Sequence, residues 1–191
     1  MMYKHLRFFK DIKIDDVPQV GGKNASLGEM FRALTPKGIN LPNGYSTTAD
    51  AYRYFLEDAG IREAITKELD GLNVEDVADL QKRGAAVRQI ILDAKLPEDF
   101  EAEIRQAYKE LCEVVGFDNL VVVVRSSATA EDLPNASFAG QQETYLNISG
   151  EDAVVESAQK CIASLFTDRA IVYRVENGFD HMQVALAVGI Q

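Results

Sequence analysis

Apolar residues recur along this chain with two different periods, and the change from one to the other falls near Gly116. Before that point the spacing is mostly helical. Leu27, Met30, Phe31 and Leu34 follow the i, i+3, i+4, i+7 rule of a helix with one buried stripe, which Asn24 can cap and Pro36 and Gly38 stop. A short β-type run at Tyr45–Thr47 leads into Thr48, placed to cap a helix over residues 49–57. Asn73 can cap a helix through Ile91, and Pro97 can open another through Val115 that Gly116 ends. These helices are expected to form one packing layer.

After Gly116 the texture is that of strands. Residues 121–125, VVVVR, are an uninterrupted β-branched run of the kind found in strands buried on both faces, and Thr144–Ile148 predicts a second short strand. A loop holding Pro134 and Gly140 separates them. Ser149 or Gly150 then starts a helix whose apolar face is Val154, Val155, Ala158, Cys161, Ile162 and Leu165. Another helix runs from Asp168 to about Gly178, and residues 185–191 predict a last strand with no polar tail after it, as in a piece cut from something longer. The pattern predicts an α+β fold with a helical layer packed on a mixed sheet. One domain would occupy residues 1–191, helix-rich over 1–116, with the strand-loop-strand unit and further helices over 117–191.

Composition narrows the partners. A chain of 191 residues, 47% hydrophobic, is long enough to bury a substantial core. A formal charge of −10 argues against nucleic acid or an anionic membrane, both of which need a net basic surface. It leaves a nucleotide open, because diffuse charge is screened over roughly 8 Å whereas one cation about 4 Å from a phosphate contributes on the order of 4 kcal/mol at an effective dielectric near 20. The apolar runs are too short to cross a bilayer and the N-terminus MMYKHLRFFKD has no signal-like apolar core, which predicts a cytoplasmic protein. Cys112 and Cys161 sit in helical apolar patterns without metal-ligand spacing, so buried thiols are expected.

Two segments offer chemistry. Phosphoryl transfer asks for backbone N–H groups, cations and hydroxyls around phosphates, and the loop after Val124 supplies Arg125, the hydroxyls of Ser126, Ser127, Thr129 and Ser137, and small residues over 136–140. It is not a Walker-type loop, and a Ser/Ala-rich turn beside a surface arginine accounts for the same composition. Residues 21–28, GGKNASLG, put a glycine pair and Lys23 just before a helix, a geometry that suits an anion; a turn with a solvated lysine is the other reading. Glu131 and Asp132 read as a solvated acidic patch.

Three segments in order, GGKNASLGEM, VRSSATAEDLPNASFAGQQETYLN, and ASLFTDRAIVYRVENGFDH leading to VALAVGIQ, resemble the N-terminal nucleotide-binding domain of the pyruvate phosphate dikinase and phosphoenolpyruvate synthase group. RSSATAEDLP followed by ASFAGQQET favours the synthase branch over the pyrophosphate-making dikinases. The resemblance implies the first lobe of an ATP-grasp-type domain. Lys23 and Arg125 would hold ATP phosphates, with Arg125 the catalytic cation; Gly140 would lie in the covering loop, Thr144 would contact the nucleotide, and Gln191 would border the adenine. Thr144 also reads as an ordinary β-branched strand residue and Gln191 as a strand end. The implied reaction converts ATP, pyruvate and water to AMP, phosphoenolpyruvate and phosphate through a phosphohistidine on another domain, with magnesium held by ligands beyond Gln191. His5 and His181 would then be structural or surface residues, pyruvate would bind elsewhere in a longer enzyme able to form homo-oligomers, and the chain alone would be inactive. A sibling phosphotransferase with another acceptor, of the rifampin phosphotransferase kind, and a non-catalytic nucleotide-binding module are the competing readings.

Overall fold

Short strands must pair to satisfy their backbone groups, and here the strands of one sheet come from both ends of the chain. The structure, a computed structural model, describes residues 3–129, 132–133, 136–137 and 143–191. Strands β1 (Leu6–Phe8), β2 (Tyr45–Thr47), β3 (Val122–Ala128), β6 (Thr144–Ile148) and β7 (Leu186–Ile190) form one five-stranded sheet in the order β1-β2-β7-β3-β6. Two-residue strands β4 (Asp132–Leu133) and β5 (Ala136–Ser137) pair separately. The helices are α1 (Val17–Leu34), α2 (Ala49–Asp58), α3 (Arg62–Leu69), α4 (Val77–Asp93), α5 (Glu98–Val115), α6 (Glu151–Ala163) and α7 (Asp168–Glu176).

Every strand pairing among the described residues is antiparallel, which corrects the expectation of a mixed sheet while keeping the α+β class. A run of β-branched residues reports burial and says nothing about strand direction. The helices also do not form one layer. One sheet face carries Tyr45, Val122, Val124, Leu186, Val188 and Ile190 against the apolar stripes of α5 and α6, including Ile104, Leu111, Val154, Ala158 and Ile162. On the other face lies α1, whose buried side is built of Val20, Gly21, Gly22, Asn24, Ala25 and Gly28. Small residues let its backbone approach the strands closely. Phe9 and Ile12 close a small second core beneath it.

Several local signals act as the residue types require. Thr48 Oγ1 accepts the Ala51 N–H at 3.1 Å and caps α2, so Thr48→Ala is expected to destabilise the chain by about 1 kcal/mol in urea unfolding. Gly116 ends α5 in the left-handed region at φ 87° with its N–H on Cys112 O. The start of α4 is displaced: Asp76, rather than Asn73, caps it, accepting from the N–H groups of Ala78 and Asp79. Both cysteines are free and buried as expected, and burial raises the Cys161 thiol far above its usual range.

Both histidines serve the fold. His5 is buried, with Nε2 3.0 Å from Asp99 Oδ2 and its ring stacked on Tyr54. His181 Nδ1 accepts from Nε of the fully buried Arg174 at 2.9 Å, while Arg174 Nη1 donates to Leu165 O. Burial first, and the Arg174 charge second, hold His181 down to about 4 from an ordinary 6.5. The unfolded chain therefore takes up a proton that the folded chain refuses between those values. Stability is expected to be level above pH 6.5 and to fall on the order of 2 kcal/mol as pH drops to 4. His181→Gln should flatten that part of the profile, measured by urea unfolding at stepped pH.

Candidate functional site

The β3 strand is the central wall. Its residues Val122 and Val124 are buried toward α6, whereas Val123 and Arg125 are only half-buried on the opposite face. The expectation of a strand buried on both faces over residues 121–125 is not met, since Val121 is exposed and Val123 and Arg125 are half-buried; the strand instead continues through Ser126, Ser127 and Ala128, expected in a loop, and these three are buried. Arg125 stands opposite Thr144 on β6 and Gly189 on β7, and Val123 exchanges both backbone hydrogen bonds with Gln191, at 2.7 and 3.0 Å. Directly opposed antiparallel residues present their side chains to the same face. Val123, Arg125, Thr144 and Gln191 thus share the face on which α1 sits.

Among the described residues that face is only partly covered. Helix α1 packs chiefly against β2, β3 and β7, whereas on β6 Thr144 is exposed and Leu146 is 62% exposed. The result is a shelf with apolar ground at Val123 and Leu146, a guanidinium in the middle, and a hydroxyl and an amide at its margins. Such a surface can take a flat apolar ring together with an anionic group. Gln191 Oε1 is buried and has no hydrogen-bond partner, so an acceptor is left for a donor that the described residues do not supply.

Gly21 touches this wall directly. Gly21 adopts φ 73° and breaks α1, and a Cβ placed there would stand 2.6 Å from the Ser127 carbonyl oxygen. Lys23, two residues on and half-buried, is thereby carried by a helix seated on the same face as Arg125. Asn24 does not cap the helix as expected. The chain is already helical from Val17, breaks at Gly21 and resumes at once, and Asn24 is a fully buried residue in the first turn after the break whose amide donates to Val20 O instead of capping. Its position four residues after Val20, across a glycine pair, was the available signal that it has a role other than capping.

The hydroxyls divide between the two faces. Ser127 is buried on the Arg125 face, and its Oγ has no hydrogen-bond partner. Ser126 points the other way and donates to Glu143 O at 3.4 Å; Thr129 is held in a mutual contact with Ala185, donating to its O at 3.2 Å. Those two belong to the scaffold rather than to the shelf. Ser137 lies on β5, opposite Asp132. Gly140 and Glu131 lie outside the described residues.

Sequence comparison gives the family. Residues 17–191 match the family described as pyruvate phosphate dikinase, AMP/ATP-binding domain. The chain is 54% identical over 188 residues to phosphoenolpyruvate synthase of Synechocystis sp., covering 96% of this chain and 23% of that protein. It is 54% identical over 181 residues to the phosphoenolpyruvate synthase of Aquifex aeolicus, covering 95% and 21%, and 49% identical over 184 residues to that of Escherichia coli, covering 96% and 23%. The chain therefore spans less than a quarter of the length of these curated relatives. With a match over residues 17–191, the chain belongs to the pyruvate phosphate dikinase AMP/ATP-binding domain family.

Proposed function

We propose that residues 1–191 are the N-terminal part of the ATP-binding domain of a phosphoenolpyruvate synthase, forming the first lobe of an ATP-grasp-type site. The observation that carries the reading is the gathering of Arg125, Thr144 and Gln191 on one partly uncovered sheet face, with Lys23 on the helix that sits upon it. In this reading Lys23 and Arg125 neutralise phosphate charge, and Arg125 stabilises the charge that develops during transfer. The Thr144 hydroxyl contacts the nucleotide, and the orphaned Gln191 Oε1 accepts from the adenine amino group. Gly140 belongs to the loop over the phosphates.

The proposed overall reaction consumes ATP, pyruvate and water and yields AMP, phosphoenolpyruvate and phosphate in the cytoplasm. Pyruvate and the phosphorylated histidine reside on further domains of the full-length protein. Magnesium would assist by neutralising phosphate oxygens. In this reading its ligands lie beyond Gln191. The test is to supply the full-length protein with ATP and pyruvate and identify the products. Formation of AMP and phosphoenolpyruvate in equal amounts is expected, and residues 1–191 alone should form neither. ATP consumption that leaves pyruvate untouched and phosphorylates a different acceptor would overturn the synthase reading.

A further inference from the structure

A fully buried amide under α1 ties the two ends of the proposed site together. Asn24 Nδ2 donates both hydrogens, one to Val20 O at 3.1 Å and one to Ser46 Oγ at 2.8 Å. The first bond spans the break at Gly21 within α1. The second leaves the helix and reaches β2, where Ser46 stands opposite Gly189 of β7. Gly189 is also the cross-strand partner of Arg125 and lies two residues before Gln191. A Cβ on Gly189 would collide with the Asn24 amide, coming within 3.2 Å of Cγ and closer still to Oδ1. The amide and the glycine therefore share one space.

Stability alone does not account for an amide here. Asn24 Oδ1 is buried with no hydrogen-bond partner, and a buried acceptor left unpaired is unfavourable. An apolar residue of similar size would avoid that penalty. What an apolar residue cannot do is hold the segment after Gly21 to the strands at a fixed height and register. We propose that Asn24 is a positioning residue: it fixes the broken start of α1, and with it Lys23, relative to the β7 segment that faces Arg125 and ends beside Gln191. This rests on the ATP-site reading above. The amide touches no ligand and acts through the spacing between the phosphate-holding and base-holding ends of the shelf.

The test uses the full-length enzyme. Asn24→Ala is expected to raise KM for ATP about tenfold while leaving KM for pyruvate unchanged and kcat within about threefold. Gly189→Ala should raise KM for ATP by at least as much, and the Asn24→Ala/Gly189→Ala pair should stay near the Asn24→Ala value instead of multiplying the two losses, because the collision is gone and only the missing amide remains. Ser46→Ala removes only the far partner and should give a smaller rise, about threefold; it supplies the reading should Asn24→Ala fail to fold. A merely structural role predicts less active enzyme at unchanged KM, and that result in Asn24→Ala, or in Ser46→Ala standing in for it, overturns the proposal. So does a double variant in which the two losses multiply. Lys23→Ala is the control: if it raises KM for ATP and Asn24→Ala does not, this inference alone fails. If neither does, the ATP-site reading fails with it.

Discussion

Arg125→Ala in the full-length enzyme is expected to lower kcat/KM for ATP by roughly 10²–10³-fold. Arg125 is half-buried between Thr144 and Gly189, beside strands that fix its backbone on both sides. A cation held about 4 Å from a phosphate at a protein surface contributes on the order of 4 kcal/mol, and little of that is returned by water when the side chain is removed. Arg125→Lys keeps the charge but loses the planar fork, so a loss nearer tenfold is expected. Steady-state rates with ATP varied at saturating pyruvate read both numbers. Activity within threefold of wild type for Arg125→Ala would falsify its assignment to the phosphates.

Gly21→Ala carries the largest expected effect on stability. Two penalties coincide there. The backbone at φ 73° disfavours any side chain by roughly 1–2 kcal/mol, and the added Cβ meets the Ser127 carbonyl carbon and oxygen at 2.8 and 2.6 Å. A carbonyl in the middle of a paired strand cannot rotate away, so α1 must lift from β3, at a further cost of about 1–3 kcal/mol. A total near 3 kcal/mol is expected in urea unfolding. Gly38→Ala is the matched comparison. Its φ of 82° is similar, but nothing lies within 4 Å of the added atom, so it should lose only about 1 kcal/mol. Equal losses at the two glycines would mean that the approach of α1 to Ser127 is not tight.

Local signals in the sequence are legible where a residue's chemistry acts on its own neighbours. Tyr45–Thr47 and Thr144–Ile148 fall where the β-rich runs place them, and Thr48 and Gly116 bound their helices as their types demand. Where tertiary contacts decide, sequence and structure part. Asn24 has the composition of a cap, yet its partners are Val20 in its own helix and Ser46, twenty-two residues away on β2. Strand direction was likewise not legible from VVVVR, because both parallel and antiparallel neighbours can bury valine. Nor did hydrophobicity reveal β1, whose three residues LRF are too few to show a period.

The site was legible in a different way. Lys23 and Arg125 stood out by motif, and nothing in the spacing of residues a hundred positions apart could show that their segments touch. That contact depends on Gly21 meeting Ser127, which is a property of the folded backbone. Ser126 and Ser127 are adjacent and chemically identical in sequence, but alternation sends one toward Glu143 and leaves the other on the Arg125 face. A period of two, applied from Arg125 onward, would have separated them.

Strand β7 lies between β2 and β3 in the sheet although it follows both in the chain. During synthesis the strands on either side emerge from the ribosome first and have no central partner. Tyr45 and Ser46, on the one side, and Val124 through Ala128, on the other, must wait for residues 186–190 before their ladders close. Pairings across such long sequence separations form slowly. The nascent chain should therefore behave as a loosely joined set of helices until β7 appears, and a stalled or truncated product lacking that strand would expose two unpaired edges at once.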